Sequence, residues 1–206
     1  MRDVVLTISD ADANLSRLRD TLDQLGSELR DKAVTRAVNR TLMAIKAEAT
    51  RIATQRYTAR PKKLFDNVKL RRAVAGNLAG EITIMGHLGV SLIHFQAQPN
   101  VPGTRPRGGV TAQVRKAGTR KVYGREGFDR PFIMRKKQGG FGVFVRRHGG
   151  EWADYSRGNM QMLFGASPVQ ALQGREAEER LQDRAAEVFT KRLAHEIDVL
   201  IAGIVK

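Results

Sequence analysis

The stretch VTRAVNRTLMAIKAEATRI, residues 34–52, decides the fold of the N-terminal third of this chain. Its apolar side chains recur at three- and four-residue steps, which place them on one face of a helix. They are Val34, Val38, Leu42, Ile45, Ala49 and Ile52. The spacing predicts a long amphipathic helix from about residue 28 to 56. Arg60-Pro61 ends it, because the residue before a proline is pushed out of the α region.

The residues before this helix predict a separate helical segment. A helix is predicted to begin near residue 11, with leucines at the same spacing from Leu15 to Leu29, and Asp10, Asp12 and Asn14 offer capping side chains ahead of them. Gly26 predicts either a break or a weak point in this helical pattern, since glycine costs a helix about 1 kcal/mol relative to alanine. The apolar run 4–8 is too short for a signal peptide, and no stretch approaches the roughly 18 apolar residues that cross a bilayer. We therefore expect a protein that stays in the cytoplasm where it is made and has no membrane partner.

The middle of the chain changes to the period-two alternation of half-buried antiparallel strands. The alternating segments are residues 68–71, 81–84, 110–115, 131–135 and 141–147. Gly76-Asn77 indicates a turn between the first two segments. The loop 136–140 joins the last two and has a length common in hairpins. These patterns predict a small antiparallel sheet.

Two segments without periodicity interrupt the predicted elements. Residues 98–109 contain three prolines and three glycines, and we expect an extended or mobile loop that joins no strand ladder. Residues 158–174 form a last irregular segment. A C-terminal helix follows, and Glu176 and Glu178 make its first turn acidic, which suits the positive end of the helix dipole.

Runs of strands set apart from runs of helices indicate an α+β fold. It has N-terminal helices, a small antiparallel β-sheet in the middle and a long C-terminal helix. Residues 1–60 form an N-terminal strand and helical region, 61–150 a basic β region with the loop at 98–109, and 151–206 an irregular segment and the C-terminal helix. We expect the three regions to form one structural domain.

Positive charge is concentrated in the middle of the chain. Residues 51–150 carry 21 Lys and Arg against 4 Asp and Glu, whereas residues 1–50 carry 8 of each and residues 151–206 carry 7 against 9. A polyanionic partner such as nucleic acid is one interpretation, because clustered cations displace counterions from phosphates. Solvated basic faces that bind nothing are the alternative. The candidate polyanion-facing residues are Arg71, Arg72, Arg115, Lys116, Arg120, Lys121, Arg135, Lys136, Lys137, Arg146 and Arg147.

Aromatic residues lie among these cations. They are Tyr123, Phe128, Phe132, Phe141 and Phe144. Exposed rings between basic residues can stack single-stranded bases. Phenylalanine is usually buried, however, and a small sheet needs it, so we expect most of these rings in the core.

Residues suited to catalysis or metal binding are few. The chain has no Cys, which excludes disulfides and thiolate chemistry. Its four histidines stand apart, and no metal-ligand spacing such as His-Glu-x-x-His occurs. Asp66 and Glu81 could face each other on neighbouring strands, but no metal motif links them. We predict no catalytic residue, no cofactor, no bound metal and no enzymatic activity.

Several segments occur in a recognisable order after the helical N-terminal third. They are VKLRRA at 68–73, GEITI at 80–84, LIHFQAQ at 92–98, GVTAQVRK at 109–116, FGVFVRR at 141–147 and LFGASPV at 163–169. This order, over about residues 30–205, resembles the minor tail protein Z family of lambda-like phages and prophages.

The resemblance implies a structural virion protein at the head-proximal end of a long non-contractile tail, where it acts in tail completion and head-tail joining. It implies a homo-oligomeric ring, commonly hexameric, with other tail and head-tail connector proteins as partners. The basic strands could line a channel that holds DNA or abut an acidic protein surface. A sequence-independent nucleic-acid-binding protein outside the virion is the second function that the sequence leaves open.

Overall fold

A computed structural model describes residues 4–7, 20, 26–65, 68–85, 89–101, 109–123, 131–146 and 160–204, of which residues 4–7, 121–123 and 204 are described by their backbone alone. The chain divides into two compact units. Unit 1 comprises Met1–Ile52, Asn67–Met85 and Leu172–Lys206, and unit 2 comprises Ala53–Asp66 and Gly86–Ala171.

The order of elements is that of an α+β protein, as the sequence predicted. The helices are α1 (Ser27–Arg56), α2 (Pro61–Leu64), α3 (Pro168–Leu172) and α4 (Arg175–Ile204), with a short 3-10 helix at Leu92–His94. The strands are β1 (Val4–Thr7), β2 (Val68–Arg71), β3 (Glu81–Ile84), β4 (Val110–Ala112), β5 (Lys121–Tyr123), β6 (Phe132–Arg135), β7 (Phe141–Arg146) and β8 (Met160–Met162).

Helix α1 confirms the prediction made from its apolar spacing. It begins after Gly26, whose carbonyl accepts hydrogen bonds from the N–H groups of Leu29 and Arg30 at 3.0 and 3.1 Å. Glycine therefore marks the helix start, as expected. The buried apolar residues of α1 within unit 1 are Ala33, Ala37, Val38, Leu42, Ile45, Ala49 and Ile52. Most of the predicted helix before Gly26 lies outside the described residues.

Unit 1 contains a three-stranded antiparallel sheet and two long helices. Strand β3 is central, with β1 and β2 on either side. Two ion pairs join α1 to α4: Arg36 with Glu196 at 3.2 Å and Glu48 with Arg180 at 2.7 Å. Residue numbers rise along one helix as they fall along the other, so the two helices are antiparallel.

Asn39 fastens α1 to the chain that leaves β2. Its Nδ2 donates to the Ala73 carbonyl and its Oδ1 accepts from the Ala73 N–H, both at 3.0 Å. The side-chain amide thus replaces the neighbouring strand that would otherwise satisfy this backbone. Farther along, Gly80 lies so close to α1 that a Cβ there would be 2.7 Å from both Val38 Cγ1 and Leu42 Cδ1.

We expect Asn39→Ala to lower the free energy of unfolding by about 1–3 kcal/mol, because it leaves a partly buried N–H and C=O without partners. Urea denaturation measures the loss. Arg40→Ala, an exposed neighbour on the same helix, is the control and should change stability by less than about 0.5 kcal/mol. Equal stabilities of the two variants would show that the Asn39 bonds contribute nothing.

Unit 2 contains two small antiparallel sheets around Phe95. Strands β4 and β5 form one sheet, and β6, β7 and β8 form the other in that order. The chain at 90–92 continues the second sheet, because Val90 and Leu92 exchange backbone hydrogen bonds with residues 163–166. The Phe95 side chain is fully buried and meets Tyr57 edge-on, with the ring centroids 6.4 Å apart.

The predicted hairpin between β6 and β7 is confirmed. Lys136 N–H donates to the Gly140 carbonyl at 2.9 Å, and Gly139 N–H donates to the Lys136 carbonyl at 3.0 Å. Gly139 and Gly140 take φ of 90° and 70°. Residues with a side chain rarely adopt positive φ, so two glycines are needed to close this turn.

Three elements differ from the sequence prediction. The sequence pattern gave no strand at β5, and the segment 158–174 expected to be irregular contains β8 and α3. Helix α3 begins with a capping box, in which Ser167 and Gln170 each accept a bond from the other's N–H. Gln98, at the start of the proline-rich loop, pairs with Thr111, contrary to prediction. It can do so because it lies before the first proline and still has a backbone N–H to donate. Residues 102–108 of that loop lie outside the described residues.

Candidate polyanion-binding surface

Charge separates by structural unit as well as by position in the sequence. The ranges of unit 2 contain 18 Lys and Arg against 5 Asp and Glu, while those of unit 1 contain 18 against 16. In the part of unit 2 that the structure describes there are 12 Lys and Arg and no Asp or Glu. Unit 2 therefore presents cations that no carboxylate of its own described residues neutralises.

The β6–β7 hairpin carries the first group of predicted residues. Arg135 ends β6, and Lys136 and Lys137 begin the turn. Arg135 and Lys137 are exposed and Lys136 is half-buried. The turn hydrogen bonds hold these three cations together at the end of a two-stranded ribbon, a shape that can approach a phosphate backbone.

Arg115 and Lys116 form a second basic group on a turn fixed by hydrogen bonds. Lys116 N–H donates to the Arg56 carbonyl at 3.0 Å, and Gly118 N–H donates to the Arg115 carbonyl at 3.1 Å. The Gln113 side chain donates to the carbonyls of Lys116 and Gly118 at 3.1 and 2.9 Å. Both cationic side chains are exposed. Their backbone is thus held in place while the charges remain accessible.

The other predicted residues of unit 2 have individual roles. Arg120 is exposed, and its Nη1 donates to the Gln96 carbonyl at 2.7 Å. Arg146 is half-buried with its guanidinium 5.7 Å from the centre of the Phe132 ring, a cation–π contact. Lys121 opens β5, but its side chain is outside the description, and Arg147 lies outside the described residues.

Arg71 and Arg72 belong to unit 1, unlike the rest of the predicted set. Both are exposed. Arg71 lies opposite Glu81 in the β2–β3 register, so a carboxylate of its own sheet faces it. The structure therefore does not group these two arginines with the cations of unit 2.

Sequence reasoning missed three cations around α2. Arg60, Lys62 and Lys63 are exposed and belong to unit 2. Three cations within four residues were a visible signal. In the sequence, however, Pro61 indicates only the end of the preceding helix.

The aromatic residues near these cations divide between core and surface. Phe132 is 8% exposed and stacks on Phe144 with centroids 6.3 Å apart. The expectation that most such rings are core is met by Phe132, whereas Phe141 is 39% exposed at the hairpin end. Phe128 and the Tyr123 side chain lie outside the description.

Unit 1 contains a charged depression of about 470 Å³ between α1 and α4. Its lining residues are Glu48, Arg51, Arg180, Asp183, Arg184 and Glu187. Glu48 is buried, and the Nε atoms of Arg180 and Arg51 lie 2.7 and 3.6 Å from its carboxylate. Because its cations and carboxylates are equal in number and partly paired, this depression is best explained as helix-to-helix packing.

The described part of the chain lacks metal-binding clusters and membrane-spanning helices. No group of three or more His, Asp or Glu residues there could hold a metal ion. No helix among the described residues is apolar over enough length to cross a bilayer. Of the carboxylate pair considered for metal binding, Asp66 lies outside the described residues and Glu81 accepts a hydrogen bond from Thr83 at 3.0 Å.

Comparison with known proteins gives one match over nearly the whole chain. The family model described as prophage minor tail protein Z (GPZ) matches residues 16–204, which include most of both units. This confirms the resemblance predicted from the order of segments. No curated protein and no solved structure matches the chain.

Proposed function

The chain belongs to the prophage minor tail protein Z family, and from that premise we propose that it completes the head-proximal end of a long non-contractile phage tail and joins that end to the head. As a member of this family it is a structural protein of a phage tail and a component of the virion. Family membership also favours a structural role over an enzymatic one.

The observation that supports this function most is the basic surface of unit 2. A protein at a head-tail junction meets two polyanions, the DNA that passes through and any acidic rim of its neighbours. The exposed cations Arg115, Lys116, Arg135 and Lys137 suit either one without base-specific contacts.

We further propose that the chain acts as a ring, hexameric in the simplest case. A closed ring needs two different complementary surfaces on each subunit, in a head-to-tail interface. Two units of unequal charge provide surfaces that differ. The mass of the protein alone and with its tail partners tests this. A mass of one subunit under both conditions would contradict a ring.

The position in the tail is testable by labelling. A peptide tag on this chain, detected with gold-conjugated antibody in electron micrographs of complete tails, should mark only the end that meets the head. A control tag on the main tube protein should mark the whole shaft. Label at the distal tip or along the shaft would contradict the proposed position.

A second function, sequence-independent nucleic-acid binding outside the virion, is favoured by the same exposed cations. Binding of the purified protein to duplex DNA across salt concentrations tests it. Steeply salt-dependent binding to unrelated sequences is expected for this function. No binding even at low salt would remove it while leaving the tail role intact.

A further inference from the structure

The sheet of β6, β7 and β8 is apolar on both faces, which is unusual for an antiparallel sheet, since the second face commonly meets water. The inner face buries Ile133, Val143 and Val145. Strand alternation and register assign the side chains of the other face. They are Phe132, Met134, Phe144, Met160, Met162 and Phe164. We call this set the outer face.

The outer face is a continuous surface and is partly accessible. Phe144 and Met162 both lie over Gly142, where a Cβ would be 2.9 Å from the Phe144 ring and 3.1 Å from the Met162 sulfur. Phe164 extends the face beyond β8, opposite Ser91, and is 49% exposed. Phe164 is exposed, four members of the face are half-buried and Phe132 is buried. Contiguous apolar surface that remains partly accessible marks interaction sites, and methionine is frequent where such surfaces adapt to a partner.

Cations lie at both ends of the outer face. Lys136 continues the alternation of β6, and its Cε would be 3.8 Å from a Cβ at Gly140. Arg146 occupies the opposite end of β7, above Phe132. The six residue-to-residue steps from Gly140 to Arg146 span about 20 Å of extended strand. A complementary partner therefore carries apolar side chains with carboxylates about 20 Å apart.

We propose that the outer face docks an apolar, acid-flanked segment of a different protein of the phage particle. This inference rests on the structural role in the tail and not on the head-proximal position proposed above. The fit is one of chemistry: apolar contact along the strip and carboxylates against Lys136 and Arg146.

Charge argues against a second copy of this chain as the occupant. Neither unit is net acidic, since unit 1 has 18 cations against 16 carboxylates and unit 2 has 18 against 5. Unit 1 is close to neutral, which is compatible with a ring of this chain but offers the cations beside the outer face little net attraction. A partner with net negative charge offers more, which favours a different protein as the occupant of the outer face.

Ring geometry argues against nucleic acid as the occupant. Base stacking needs a free ring face. Phe132 already has Phe144 stacked at 6.3 Å and the Arg146 guanidinium 5.7 Å from its ring centre. Among the remaining members of the outer face three are methionines and Phe164 is the single ring, whereas single-strand binding stacks successive bases on several rings.

Photo-crosslinking in assembled particles tests the proposal. The crosslinking amino acid p-benzoylphenylalanine replaces Phe164 in the full-length chain. We expect light to join this position to a different virion protein, at a peptide that contains Asp or Glu. Phe141, an exposed ring on the other face of the same sheet, is the matched control and should not give that product. A crosslink within this chain, a crosslink to a second copy, or no crosslink would overturn the proposal.

Two substitutions provide an independent measurement. Phe164→Glu should reduce the amount of this chain that sediments with purified particles by about tenfold, the size that loss of an aromatic anchor gives. Phe164→Leu, which keeps an apolar side chain, should retain most of it. Circular dichroism of each purified variant checks that it folds. Equal incorporation of the two variants, or a specific loss of single-stranded DNA binding by Phe164→Glu, would contradict a protein partner. Gold label at an unexpected position with an intact crosslink would refute only the proposed position.

Discussion

Replacing Phe95 by alanine is expected to lower the free energy of unfolding by about 3–5 kcal/mol, the range for emptying a buried aromatic site. Phe95 is fully buried, and its ring meets Tyr57 edge-on. Its carbonyl also accepts the Gln113 N–H at 3.1 Å, which ties the segment after the 3-10 helix to the chain that follows β4. A cavity at Phe95 therefore affects several segments of unit 2 together.

Urea denaturation followed by circular dichroism measures this loss. Phe164→Ala is the control, since it removes the same ring from a half-exposed position and should cost no more than about 1 kcal/mol. Gly165→Ala should destabilise through the same site by overpacking, because the new Cβ would lie 2.7 Å from Phe95 Cδ2. Equal stabilities of Phe95→Ala and Phe164→Ala would contradict a core centred on Phe95.

Neutralising the hairpin cations is expected to weaken duplex DNA binding without unfolding the protein. The variant is Arg135→Gln, Lys136→Gln and Lys137→Gln together. If all three contact phosphates, the slope of log affinity against log salt should fall by about 3, because each phosphate contact contributes roughly 0.9. The fold should survive, since Arg135 and Lys137 are exposed and the glycines close the turn.

A control with the same change of net charge separates local contact from general attraction. Lys32→Gln, Lys191→Gln and Arg192→Gln together remove three exposed cations from unit 1. We expect this control to keep the wild-type salt slope. If the hairpin variant also keeps it, those residues face a protein neighbour or free solvent and not DNA.

Sequence patterns predicted the elements that depend mainly on residues close to one another in the chain. Helix α1 follows from its apolar spacing, its start from Gly26, and the β6–β7 hairpin from alternation around two glycines. Strands β5 and β8 have three residues each, too few for alternation to stand out. They form because β4 and β7 provide partners, which is information from distant parts of the chain.

The sequence shows which residues of the candidate surface are cations but not which of them lie in the same structural unit. Its cations are evident in the sequence, yet Arg71 and Arg115 lie in one basic segment and in different units. The β6–β7 register, which no single-strand pattern contains, brings Phe144 opposite Phe132. The same register places Arg146, predicted to face a polyanion, in contact with the Phe132 ring. Alternation in an antiparallel strand predicts one polar face, so it does not indicate the outer face.

The central claim, that this tail protein joins tails to heads, is tested most directly by counting joined particles. Electron microscopy of particles assembled without this chain should show heads and tails that form but remain separate, and addition of the purified protein should restore joining. Heads and tails that join at full efficiency without the chain would contradict the claim.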